Sequence, residues 1–182
     1  MLSVRTATPQ DAAGVADVHV RAWQTAYRGL LPDEYLDGLR AADRMVRYRF
    51  EITGPDQPST IVAVDDGVIC GFATTGPARD PGVPSAGLLH ALYVEPALWG
   101  RGVGRLLMAE ARARLRQQGF LEGVLWVLVG NDRAQRFYRA DGWLPDGSRR
   151  DQEVWGITVD EIRFRRPLRP FQGAAGRLRM GW

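Results

Sequence analysis

Trp99-Gly100-Arg101-Gly102-Val103-Gly104-Arg105 lies between an apolar run over residues 88–94 and a helical pattern over 105–118. The spacing predicts a strand that feeds a glycine-rich turn, and a turn that opens a helix. Glycines at alternate positions leave the backbone N–H groups of residues 100–105 without Cβ cover, so an anion can approach them closely. The unpaired N–H groups of the helix's first turn, at the positive end of its dipole, favour phosphate. In this strand–turn–helix context the stretch reads as a phosphate cradle rather than a bare glycine-rich helix entry.

Two common cradles are excluded. A P-loop ends in Gly-Lys-Ser/Thr, and all 24 basic side chains here are arginine, with no lysine. A dinucleotide fingerprint needs Gly-x-Gly-x-x-Gly, and Arg105 stands where its last glycine would be. Leu92-Tyr93-Val94-Glu95-Pro96 followed by Trp99-Gly100-Arg101-Gly102-Val103-Gly104 instead resembles the coenzyme A pyrophosphate loop of the GNAT superfamily of N-acetyltransferases. A second run, Asn131-Asp132-Arg133-Ala134-Gln135-Arg136-Phe137-Tyr138-Arg139-Ala140-Asp141-Gly142-Trp143, is similar to that superfamily's Asn-x-x-Ala-x-x-Phe-Tyr-x-x-x-Gly-Phe signature, with Trp143 in the aromatic place.

Length and composition agree with one soluble α/β domain of 182 residues, 45% hydrophobic and 25% charged. The opening residues lack an apolar export core, and no stretch approaches the ~20 apolar residues of a membrane span. The expectation is a cytoplasmic protein without a membrane partner. Cys70 is the only cysteine, which excludes an internal disulfide and a cysteine metal cluster. The formal charge of +3 hides an asymmetry: residues 163–182 hold six arginines and no acid, so the remainder is net negative. Such a tail suits nucleic acid or an acidic partner. With little aromatic interleaving, a solvated tail is the favoured reading and nucleic acid the disfavoured one.

Along the chain, residues 2–7 alternate as a strand, and Thr8-Pro9 caps a helix running to about Arg28, with Val15, Val18, Ala22 and Ala26 on one stripe. Helical segments are expected from Pro32 and over 40–50. A hairpin about Asp66-Gly67 joins strands 60–64 and 68–74, and 76–86 is a loop. Residues 88–94 form a central strand. The helix after the cradle turns Val103, Leu107, Ala111 and Leu115 inward. A buried strand 124–129, a helix 131–140 and strands near 143–149 and 157–166 complete a mixed sheet with helices on both faces. The resemblance implies the GNAT-like acyl-CoA N-acyltransferase fold over residues 1–166, followed by a basic tail, 167–182.

The resemblance also implies a chemistry: transfer of acetyl from acetyl-CoA to a primary amine, a small molecule or a protein N-terminus, by direct attack in a ternary complex. Backbone N–H groups at Tyr93 and Val94 would bind the acetyl oxygen and the pantetheine. Residues Trp99, Gly100, Arg101, Gly102, Val103, Gly104 and Arg105 would hold the pyrophosphate, and Asn131 the pantetheine arm as well as capping its helix. Tyr138 matches the tyrosine that acts as general acid toward the departing sulfur. Family members often carry a glutamate early in the central strand or on the next strand. Leu88 and Trp126 stand at those places here, and neither takes a proton. His90, two residues beyond Leu88 on the same strand face, Glu95 acting through water, and no dedicated base remain as alternatives. Trp99 replaces the usual glutamine or arginine. The acceptor site is expected between the first helices and the loop 76–86, with Trp23, Tyr27 and Glu34 as candidates. Other readings are transfer of a longer acyl group, an acetyl-CoA-binding sensor without turnover, and a module binding nucleic acid through the arginine tail. A homodimer is compatible with all of them.

Overall fold

The Asp66-Gly67 turn organises the first half of the sheet. Both residues have positive φ, 47° and 83°, as a two-residue hairpin matched to the strand twist requires. They join β2 (Ser59–Asp65) to β3 (Val68–Pro77), and β1 (Ser3–Thr6) pairs with the other edge of β2. The computed structural model describes residues 1–168. Within them, β4 (Gly87–Val94) pairs antiparallel with β3 and parallel with β5 (Glu122–Leu128). β7 (Ile157–Pro167) lies between β5 and β6 (Leu144–Val154), giving the order β1-β2-β3-β4-β5-β7-β6. Helices α1 (Ala12–Ala26), α2 (Asp33–Gly38) and α3 (Ala41–Met45) cover one face; α4 (Val103–Gln117) and α5 (Asp132–Ala140) cover the other. This is the mixed, doubly covered sheet that the residue pattern predicts.

Two features of β4 position the site. It pairs with β5 only over Gly87–Leu89 against Gly123–Leu125, and beyond that root the strands diverge. Both root glycines are needed for space: a Cβ on Gly87 would stand 2.6 Å from Leu115, and one on Gly123 2.8 Å from Trp143. Its register against β3 also slips, Thr74 facing Ala91 while Thr75 faces Leu89, so His90 is the extra residue of a β-bulge. The α4 face packs Val103, Leu107, Met108 and Ala111 onto Ile61, Ala73, Leu89, Leu125 and Phe164, and the α1 face packs Val15 and Val18 onto Val62 and Phe72.

Three boundaries differ from the sequence reading. The helix expected over 40–50 stops at Met45. Tyr48 and Phe50 stack on each other with centroids 5.3 Å apart and both pack against the same cluster, which residues two apart on a helix do not do. β6 runs on to Val154 through an irregularity at 145–149. β7 includes Pro167, opposite Glu122, and the buried Leu168 donates its N–H to Leu121 O. Residues 169–182, with three of the six arginines counted in 163–182, lie outside the described residues, and the other three belong to β7.

His19 on α1 is stacked between Tyr93 and Trp155, with centroids 4.7 and 4.5 Å away, and shares a hydrogen bond with the Tyr48 hydroxyl. Burial, reinforced by the Arg44 charge, pulls its pKa from 6.5 down to about 3. The unfolded chain binds a proton that the folded chain refuses, so His19 contributes stability that is complete above pH 6.5 and is lost as pH falls toward 3. The expected slope from this one group is about 1.4 kcal/mol per pH unit. His19→Phe, which keeps the stack, should flatten the pH dependence of urea unfolding by that amount in the window between the two values, about pH 4 to 5.5. An unchanged slope would mean that His19 titrates normally in the fold.

Candidate active site

Where β4 and β5 part, a cavity of about 460 Å³ opens between them, reaching from the glycine loop to the inner wall of α1. Its floor is residues 88–94 and 126–128 of the two strands. The Glu95 N–H donates to Cys70 O on β3 at 2.9 Å. Alternation along the strand therefore turns the Val94 N–H toward the opposite edge, where β5 has moved away. An extended strand edge with unspent N–H groups is thus presented to whatever enters the gap.

The loop beyond β4 is shaped by its glycines. Gly100 and Gly102 have φ of 78° and 89°, left-handed values that cost a residue with a Cβ. No atom lies within 4 Å of where a Cβ on either would stand. Gly102 is the N-cap of α4, so the helix's first N–H groups face open space. These residues, with Gly104 and Arg105, line the cavity, whereas Val103 is buried in the core and Arg101 points into solvent. A curved, unobstructed cradle at a helix N-terminus fits a pyrophosphate.

Trp99 has a role that its identity alone conceals. Its indole N–H donates to Val94 O at 2.9 Å, which ties the loop to the strand end. The Arg133 guanidinium lies 3.4 Å above its ring, in cation–π contact. The arrangement brings a positive charge from α5 to the cradle. Arg133 was not legible because it fills a variable position of the Asn-x-x-Ala run, which motif reading passes over.

Asn131 caps α5, its Oδ1 accepting from Ala134 N at 3.1 Å, and lines the cavity. Tyr138, two turns later, also lines it, and among the described residues its hydroxyl has no hydrogen-bond partner. Burial, and then the nearby Tyr93, push the Tyr138 phenol well above its ordinary pKa. It remains a proton donor across the neutral and alkaline range.

The sequence-predicted acceptor residues divide. Trp23 and Tyr27 line the cavity, and the Tyr27 hydroxyl is 3.2 Å from that of Tyr93. Glu34 is exposed at the start of α2, outside the lining residues. Glu95 is outside them too, its carboxylate held by Arg21 at 2.8 Å. His90 lines the closed end of the gap. A Cβ on Gly76 would meet its Nε2 at 3.1 Å, and Gly76 pairs with Leu88, so His90 and Leu88 share a sheet face as predicted. The protein around the ring lowers its pKa from the ordinary value, with Asp80 opposing. The structure adds one carboxylate that the sequence reading did not single out, Glu161 of β7.

The match to known proteins follows this geometry. The model of the acetyltransferase (GNAT) family matches residues 20–143. The chain is 30% identical over 164 residues to the uncharacterized N-acetyltransferase YuaI of Bacillus subtilis, covering 89% of this chain and 91% of that one. It is 30% identical over 172 residues to an aminoglycoside N(6′)-acetyltransferase type 1 of Stenotrophomonas maltophilia, covering 92% and 95%. Among solved structures, yncA of Salmonella typhimurium with acetyl-CoA superposes with a TM-score of 0.68 at 20% identity, over 98% and 99% of the two chains. The paia N-acetyltransferase of Thermoplasma acidophilum with coenzyme A gives 0.67 at 19%, over 90% and 98%. With both motifs lining one cavity on the expected sheet, the chain belongs to the GNAT family, the acetyl-CoA-dependent N-acetyltransferases.

Proposed function

We propose that this enzyme transfers acetyl to a small molecule carrying a primary amine, by direct attack within a complex that holds both substrates. The observation that carries the reading is the continuity of one cavity from the glycine cradle, past the unpartnered Tyr138 hydroxyl, to the aromatic wall of Trp23 and Tyr27. Acetyl-CoA supplies the activated acyl group. Gly100, Gly102, Gly104 and Arg105, with Arg133 behind Trp99, would hold its pyrophosphate, and Asn131 and the open edge of β4 its pantetheine arm. The Val94 N–H supplies a fixed dipole for the acetyl oxygen, worth most in a site closed to water. Tyr138 donates a proton to the departing sulfur. Trp23 and Tyr27 form the acceptor wall. The aminoglycoside acetyltransferase among the relatives supports a small-molecule amine.

Thermal unfolding with and without acetyl-CoA tests the donor half. Ligand at about 100 times its dissociation constant adds about 2.7 kcal/mol, which raises Tm by roughly 5–10 °C in a domain of this size. An unmoved midpoint would reduce the glycine loop to scaffold. A panel of amines with detection of released thiol tests the acceptor half, and thiol release that needs no amine would remove it.

A further inference from the structure

Of the two groups that the sequence offered for removal of the amine's proton, Glu95 is tied to Arg21 and lies outside the cavity, whereas His90 lines it. His90 lies in the bulge with its Nε2 against Gly76. Glu161 is the only carboxylate among the described residues that line the cavity.

Sheet register fixes where Glu161 faces. It stands opposite Leu128 on β5 and Arg150 on β6, so the three share one face. Leu128 packs with Trp23 and Leu36, and that face is therefore the one covered by α1 and α2. Tyr138 enters the gap from the other side, since it and Phe137 pack on the α4 cluster. A proton donor and a carboxylate thus approach the opening between β4 and β5 from opposite faces.

The carboxylate is also held in place. Arg150 Nε donates to Glu161 Oε2 at 2.9 Å, and its Nη1 lies 3.3 Å from Asp80. Arg150 rests on the Trp126 ring, 4.1 Å from its centroid, while Trp126 Nε1 donates to Asp80 at 3.1 Å. The side chains of Asp80 and Glu161 are only 11% and 15% exposed. Two carboxylates share one arginine. Glu161 Oε1 has no hydrogen-bond partner among the described residues. Trp23, Tyr27, Tyr93 and Trp126 line the same cavity.

We propose that Glu161 receives the ammonium group of the acceptor and takes its proton, with Arg150 and Asp80 as positioning residues, so that the enzyme selects amines that are cationic in solution. This rests on the acyl-transfer reading above. The ammonium passes one proton to the Glu161 carboxylate. The freed lone pair forms the C–N bond as the C–S bond breaks and its electron pair leaves on sulfur. Tyr138 gives its proton to the sulfur, the acylated nitrogen loses its second proton to solvent, solvent reprotonates Tyr138, and the proton on Glu161 returns to solvent. The carboxylate is supplied from β7, while Leu88 and Trp126 on the two strands that flank the gap carry no base.

The test compares propylamine, cationic at neutral pH, with 2,2,2-trifluoroethylamine, which its fluorines keep largely neutral. Glu161→Gln should lower kcat/KM for propylamine by about 100-fold or more, and for trifluoroethylamine by less than about tenfold. Glu161→Asp should restore part of the loss, and the Tm rise with acetyl-CoA should be unchanged in both variants. Equal losses for the two amines, or a selective loss in His90→Gln with none in Glu161→Gln, overturn the proposal. Propylammonium binding to the coenzyme A complex, followed by NMR, separates this claim from the one beneath it. Glu161-dependent binding without any acetylation removes the transfer reading and leaves the ammonium site standing. A wild-type protein that neither binds nor acetylates propylamine overturns the site.

Discussion

Gly102→Glu should leave a folded protein that no longer binds acetyl-CoA, with affinity lowered by more than about 100-fold through occupation of the anion site. Residue 102 is the N-cap of α4 at φ 89°, and the space beyond it is empty. A side chain there meets no protein atom, so steric damage to the fold is small, although the left-handed backbone costs about 1–2 kcal/mol. The new carboxylate would instead settle on the helix's unpaired N–H groups, a position it favours, and repel the phosphates from it. Gly102→Ala separates the contributions, since it carries the backbone strain without the charge and should lose far less affinity. Calorimetric titration of the two variants is the measurement. Unaltered affinity in Gly102→Glu would sink the cradle.

Tyr138→Phe should lower turnover by about 100-fold or more, the usual scale of a lost general acid, while acetyl-CoA affinity stays within about twofold. The ring contributes packing against Phe137 and Phe164 that phenylalanine retains. The hydroxyl makes no hydrogen bond among the described residues, so its removal strands no buried partner. The effect therefore falls on the reaction rather than on binding or folding. Because burial raises the phenol's pKa, the wild-type rate should also show no alkaline loss from Tyr138 up to the ordinary tyrosine range. Wild-type turnover in Tyr138→Phe would take the residue out of the mechanism, and a parallel loss of affinity would make it a binding group.

The donor half of the site was readable because its determinants are local. A glycine loop between a strand and a helix carries its own backbone geometry, and Gly100 and Gly102 have the left-handed φ that glycine adopts without strain. Asn131 was legible as a helix cap, while its place in the cavity and that of Tyr138 were expected from the resemblance of the 131–143 run to the family signature. The acceptor half was half readable. Trp23 lies on α1 and Tyr27 caps its C-terminus, but Glu34 was chosen for its charge close to them in sequence, and Glu95 for its place at the end of the central strand. One is exposed and the other is spent on Arg21.

The amino-acid pattern by itself determined the strands, the hairpin turn at Asp66-Gly67, the glycine loop that opens α4 and, through two spaced motifs, the family. Each of these depends on neighbours within a few residues, whose conformational preferences act before any long-range contact forms. Only the tertiary structure decided that β4 and β5 part after Leu89 and how wide a cavity results. It alone placed Arg133 over Trp99, sealed His19 between Tyr93 and Trp155, and brought Glu161, Arg150, Asp80 and Trp126 together from four separate segments. The physical reason is register: a one-residue slip of β7 against β5 would turn Glu161 to the other face, and that register is set by packing across the whole sheet, not by the residues that flank Glu161.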